Sequence, residues 1–101
     1  MRSNKQKYSV IYVDELPSKF SEGVIYIEKT PLCCHTISFK CPCGCADVIY
    51  LNLLTDASPR WSFRKKWFGK ISVFPSILRL YGCKSHFLIR RNRIKWMPDN
   101  F

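Results

Sequence analysis

The residues best able to do chemistry are cysteines, of which the chain has six. Three of them fall in the run Cys41-Pro42-Cys43-Gly44-Cys45. Alternate positions on an extended backbone project to one side, so the three thiols can share a ligand, while Pro42 and Gly44 suit the tight bend a metal demands. A tetrahedral structural metal needs a fourth donor, and Cys83, between Gly82 and a strand-like run from His86, is the candidate. Thiolate softness and a closed four-sulfur set favour zinc over magnesium or calcium, with iron chemically admissible. The spacing departs from the pair of CxxC knuckles common in zinc domains, so Cys33, Cys34 or His35 stands as a replacement for one thiol of the cluster. Without that role, Cys33 and Cys34 read as small buried hydrophobes.

The elements that must position these thiols read as strands. Tyr8 to Val13 and Val24 to Glu28 are rich in β-branched and aromatic residues, and the polar, Pro-containing stretch from Asp14 to Gly23 connects them. Thr36 to Lys40 leads into the cysteine run and Asp47 to Leu53 leads out of it, which places the cluster at a hairpin tip. Thr55 to Arg60 is a loop by its Asp, Ser and Pro content. Trp61 to Phe74 reads as two short strands joined by a basic, Gly-containing turn. Ser76 to Tyr81 is expected to form one helical turn, started by Ser76 and stopped by Gly82. His86 to Ile89 and Arg93 to Met97 form a closing hairpin around Arg91-Asn92. The expected fold is therefore mainly β: one small antiparallel sheet domain over residues 1–101, stapled by a four-cysteine zinc site, with little helix and a flexible segment over residues 1–7.

A chain of 101 residues that is 47% hydrophobic and 15% aromatic has the composition of a packed domain rather than a disordered one. A domain of this size buries a modest share of its surface, so a metal staple adds materially to its stability. No apolar run reaches the roughly 20 residues of a membrane-spanning helix, and the N-terminal residues lack the apolar stretch of a signal peptide. The expected compartment is the cytoplasm, with no membrane partner, and there cysteines serve as metal ligands or reactive thiols rather than disulfides. The formal charge of +10 favours an acidic partner.

The succession FKCPCGCADVIYLNL, Trp61, SVFPSILR and GCKSHFLIRRNRIKW, from about Phe39 to Trp96, resembles a family of small bacterial proteins encoded beside ubiquitin-like conjugation genes. Members in bacterial ubiquitination-like (Bub) operons are serine-dependent deconjugases that cut a ubiquitin-like protein from its targets. Cys41, Cys43, Cys45 and Cys83 match that family's cysteines, and Pro75-Ser76 and Ser85-His86 match its polar signatures. The chain departs from the pattern at Ala46, where a second glycine is expected, and in the basic run from Arg64 to Lys70. The resemblance implies a Ser/His hydrolase acting on a bacterial ubiquitin-like protein. Imidazole titrates near neutrality, so His86 is the candidate base. Ser76, at the start of a short helix with free N–H groups nearby, is the preferred nucleophile. Ser85 is the alternative, although consecutive strand side chains point to opposite faces, which sets it badly against His86. Glu28, Asp47 and Asp56 are all open as an orienting carboxylate.

Basic residues from Arg60 to Lys70 surround Trp61 and Trp67, and Arg90, Arg91, Arg93 and Lys95 decorate the last hairpin. Cations interleaved with aromatics can track a nucleic-acid backbone and stack its bases, which makes a noncatalytic zinc-containing module for nucleic acid or protein the alternative function. Against it, the tryptophans are expected to fill the small core and the charges to be solvated.

Overall fold

The computed structural model describes residues 7–54, 56, 58–79 and 82–97. Among the described residues there are eight strands in two four-stranded sheets. β1 (Ser9–Val13), β2 (Val24–Lys29), β3 (Cys34–Lys40) and β4 (Val48–Asn52) lie side by side in chain order. β5 (Ser62–Lys65), β6 (Ile71–Leu78), β7 (His86–Arg90) and β8 (Arg93–Trp96) do the same in the second sheet. All neighbours are antiparallel except β1 and β2, which run parallel from the Ser9–Val24 pair to the Val13–Glu28 pair. Parallel neighbours cannot be joined by a tight turn, and the connection from Asp14 to Gly23 supplies the crossover.

That connection also covers one face of its sheet. Phe20 packs edge-on against Tyr26 at 5.1 Å and against Tyr50 at 6.0 Å, and the Ser21 N–H donates to the Tyr26 hydroxyl at 2.9 Å. The covering explains why Ile25, Tyr26 and Ile27 are all buried in succession instead of alternating. The opposite face meets the second sheet. Ile25, Ile27, Ile37, Phe39, Ile49 and Leu51 from the first sheet join Ile71, Val73, Ile77, Phe87, Ile89 and Ile94 from the second in one hydrophobic core. Phe39 and Phe87 meet edge to face across the two sheets, 6.2 Å between ring centres.

The chain start is tied to the far sheet. The Tyr8 N–H donates to the Asn92 carbonyl at 2.7 Å, the Tyr8 hydroxyl donates to the Lys40 carbonyl at 3.0 Å, and Lys7 makes a β-bridge with Arg93. The remainder of the segment expected to be flexible, residues 1–6, lies outside the described residues. The closing hairpin turns at Arg91 and Asn92, both with positive φ (50° and 65°), the backbone of a tight two-residue turn.

Three expectations are corrected. Ser76, Ile77 and Leu78 belong to β6 rather than to a helical turn, because Ile77 pairs with Phe87 and buries its side chain in the shared core; Leu80 and Tyr81 lie outside the described residues. Cys33 is exposed, its thiol 3.6 Å from His35 Nε2, whereas Cys34 packs against the core. Of the tryptophans, Trp61 and Trp96 pack on the core, but Trp67 is 83% exposed beside Phe68 at 93%. Trp67 and Phe68 occupy a 3-10 turn (Trp67–Gly69) between β5 and β6, where none of the described residues covers them.

Candidate active site and metal centre

The cysteine run forms the connection between β3 and β4. Cys41 is buried at the end of β3, Cys43 is half-buried and Cys45 is exposed. The backbone is bent rather than extended: the Gly44 N–H donates to the Cys41 carbonyl, the Cys41 N–H to the Asp47 carbonyl, and Gly44 and Ala46 both take positive φ (91° and 72°). The bend curls three thiols around one point. Cys83 reaches the same point from the connection between β6 and β7. The four sulfurs all lie within 4.8 Å of one another, with Cys41 Sγ 3.4 Å from Cys43 Sγ and 3.6 Å from Cys83 Sγ. A tetrahedral metal with sulfur bonds of about 2.3 Å has sulfur–sulfur edges of about 3.8 Å, so the set fits such an ion. With four sulfurs assembled, Cys33, Cys34 and His35 are not needed as replacements.

Neighbouring donors favour thiolate at Cys83. Ser85, fully buried, places its hydroxyl 3.1 Å from Cys83 Sγ and 4.0 Å from Cys41 Sγ. Arg79 donates to Cys83 Sγ at 3.3 Å and to Cys45 Sγ at 3.6 Å, and pairs with Asp47 at 3.2 Å. Burial opposes ionisation of Cys83, but hydrogen bonds from the Ser85 side chain and backbone, joined by those from Cys43 and Cys41, outweigh it and hold the thiol down at about 6. Burial pushes the Cys41 thiol up to about 12. A divalent cation offsets the like charges that keep such a cluster from ionising as a whole. Arg79 carries no motif that would have marked it in the sequence; only its place between Ser76 and Cys83 hinted at it.

A second constellation lies on the other face of β6 and β7. Leu78 pairs with His86 in the register, so Ser76 and His86 are diagonal neighbours on one sheet face. Ser76 Oγ and His86 Nε2 are 3.1 Å apart, and both residues are half-buried. Ser85 points the opposite way, into the cysteine cluster, so the structure joins Ser76 to His86 and Ser85 to Cys83. Among the carboxylates, Asp47 is turned to Arg79, Glu28 pairs within the first sheet between Val13 and Thr36, and Asp56 is exposed.

The basic surface is concentrated at the opposite end of the second sheet. Lys66, Trp67, Phe68, Lys70 and Arg91 outline a shallow depression of about 450 Å³ there. No helix among the described residues is long and apolar enough to cross a membrane.

No curated protein and no solved structure matches this chain. A chain with a serine and a histidine in contact on one sheet face, and four converging cysteines behind them, does match a family model across residues 12–97: it belongs to the BubE family, described as the serine protease of a bacterial ubiquitination-like system.

Proposed function

We propose that this protease releases a bacterial ubiquitin-like protein from its conjugates, with Ser76 as nucleophile, His86 as general base and acid, and zinc as the structural ion on Cys41, Cys43, Cys45 and Cys83. The observation that carries the reading is the 3.1 Å contact between Ser76 Oγ and His86 Nε2 in a chain of a serine protease family. A serine hydroxyl becomes nucleophilic when a positioned base takes its proton. With the imidazole neutral, His86 Nε2 accepts the Ser76 proton as Oγ attacks the carbonyl carbon at the C terminus of the ubiquitin-like protein. The tetrahedral adduct collapses as His86 returns that proton to the departing amine of the target, which leaves an ester on Ser76. Water, deprotonated by His86, cleaves the ester, and the regenerated Ser76 hydroxyl closes the cycle.

The zinc ion has no part in those proton transfers. Bound, it would cross-link the β3–β4 and β6–β7 connections, and the second of these joins the strands that carry Ser76 and His86. The chain's own residues orient the pair: Ile77 and Phe87 anchor the two strands in the core, and the Arg79 N–H bonds the Ser85 carbonyl at 2.9 Å just beyond them. The positive charge of the chain favours acidic conjugates.

The test is cleavage of a conjugate of the ubiquitin-like protein from the same system, followed by mass spectrometry of the enzyme quenched during turnover. An acyl adduct on the peptide containing Ser76, absent in Ser76→Ala, is expected. Full activity in Ser76→Ala would refute the assignment.

A further inference from the structure

Among the described residues, two strand edges with no further strand on them flank one groove. β5 pairs with β6 only from Ile71 to Phe74, so among the described residues the stretch from Pro75 to Leu78 has no strand on that side. β4 is the last strand of its sheet. The registers fix which backbone groups look into the space between them. In β4 the bonds from Cys41 N–H to the Asp47 carbonyl and from Leu53 N–H to the His35 carbonyl turn Asp47, Ile49, Leu51 and Leu53 towards β3. Val48, Tyr50 and Asn52 therefore face outwards, and the Asn52 carbonyl does so visibly, accepting the Trp61 N–H at 2.7 Å. In β6 the bond from Arg79 N–H to the Ser85 carbonyl and the Ile77–Phe87 pair leave Ser76 and Leu78 facing outwards.

The groove has a volume of about 260 Å³ and is walled by Tyr50, Leu51, Ile77 and Leu78, with Trp61 and Arg79 also lining it. Tyr50 is 58% exposed and Leu78 40% exposed, so its apolar rim is accessible. Amide donors and carbonyl acceptors repeated at strand spacing are complementary to an extended peptide backbone, which neither a lipid nor a nucleic acid supplies. Ser76 belongs both to this edge and to the pair with His86, so a peptide laid here brings its backbone carbonyls to the residue that carries the nucleophilic hydroxyl.

We infer that the substrate docks as an added strand along the β6 edge, hydrogen-bonded to the backbone of Ser76 and Leu78, with β4 as the facing wall. The element recognised is the extended C-terminal tail of the ubiquitin-like protein. The inference rests on the Ser76–His86 reading above and names the substrate conformation that site takes.

The experiment uses the full chain carrying Ser76→Ala and fluorescein-labelled peptides of the C-terminal tail of the ubiquitin-like protein from the same system, each methylated on one backbone nitrogen. Anisotropy titration should give a period-two profile. Methylation at every second residue weakens binding about tenfold, the loss of one backbone hydrogen bond, while intervening positions stay within about twofold. A flat profile, no binding, or equal binding by the folded domain without its tail overturns strand docking. Wild-type protein is treated in parallel with diisopropyl fluorophosphate and mapped by mass spectrometry. Modified Ser76 with a flat profile leaves the hydrolase reading standing and removes the groove. A period-two profile with unmodified Ser76 upholds docking and removes the nucleophile assignment.

Discussion

The Arg79 guanidinium donates to Cys83 Sγ at 3.3 Å, three positions beyond Ser76 on the same stretch of chain. The cysteine cluster is thereby mechanically continuous with the strand that carries the proposed nucleophile, while the chemistry of the two sites lies on opposite faces. Purified protein is expected to hold about one zinc per chain by elemental analysis. Chelation should lower the unfolding temperature and the activity together, because structural zinc contributes directly to folding. Cys83→Ser, which removes one of the four clustered thiols, should reproduce both losses. Cys33→Ser, at an exposed thiol outside the cluster, should stay within about 0.5 kcal/mol of wild type. A metal-free chain that unfolds at the same temperature would sink the staple.

Ala46 holds φ at 72° in the loop between Cys45 and Asp47. The left-handed region costs a residue with a Cβ about 1–2 kcal/mol, and glycine escapes that cost. Glycine also gives the unfolded chain more freedom, which takes back about 0.4–1 kcal/mol. Ala46→Gly is therefore expected to stabilise the zinc-loaded protein by about 0.5–1 kcal/mol, read from urea denaturation at fixed zinc. A destabilised variant would mean that the alanine methyl makes a contact worth more than the backbone cost.

The same residue illustrates what could be read from the sequence. A glycine was expected at position 46 on family grounds, and the φ there supplies the physical reason. Strands were legible because β-branched and aromatic runs such as Val24 to Glu28 have few other stable outcomes. The convergence of Cys41, Cys43, Cys45 and Cys83 was legible because sulfur chemistry restricts the choice. The parallel pairing of β1 with β2 was not, since strand direction is set by the path of a connection whose own residues carry little pattern. Ser76 was expected in a helical turn because Ser after Pro and before Gly82 is good local capping chemistry; burial of Ile77 against the opposite sheet overrode that local preference. The Arg79 contacts were invisible because a guanidinium finds its partners only after the chain has folded.

Asn92 joins three parts of the fold at one turn. Its Oδ1 accepts the Ile71 N–H at 2.7 Å, its N–H donates to the Ile71 carbonyl at 2.9 Å, and its carbonyl accepts the Tyr8 N–H. The residue also sits at φ 65°, which asparagine tolerates better than most. Asn92→Ala leaves the Ile71 N–H without its side-chain acceptor and puts alanine, which tolerates the left-handed region less well than asparagine, at φ 65°. The two effects together should cost about 1–3 kcal/mol in chemical denaturation. Asn92→Gly keeps the backbone conformation and loses only the side-chain bond, so it should cost less than Asn92→Ala. The reverse order would show that the turn conformation is not what the side chain supports.

The catalytic prediction separates the two serines that flank the β6–β7 connection. Ser76 Oγ contacts His86 Nε2, whereas Ser85 Oγ contacts Cys83 Sγ and is fully buried. Ser76→Ala should abolish turnover of the conjugate with little change in stability, since its side chain is half-buried and makes its contact with His86. A nucleophile and its base act as one unit, so losing either costs on the order of a millionfold and the losses do not add. His86→Ala should match Ser76→Ala, and the double variant should be no slower than either. Ser85→Ala should behave as a metal-centre variant: a buried hydroxyl partner of a thiolate is lost, at a cost of about 1–3 kcal/mol in stability. Its activity should recover with added zinc, while that of Ser76→Ala should not. Turnover assays with and without zinc, alongside thermal unfolding, decide the matter. If Ser85→Ala were inactive while fully zinc-loaded and stable, and Ser76→Ala remained active, the nucleophile would move to Ser85. If both serine variants kept wild-type turnover while His86→Ala lost zinc, His86 would belong to the metal centre and the dyad would be excluded.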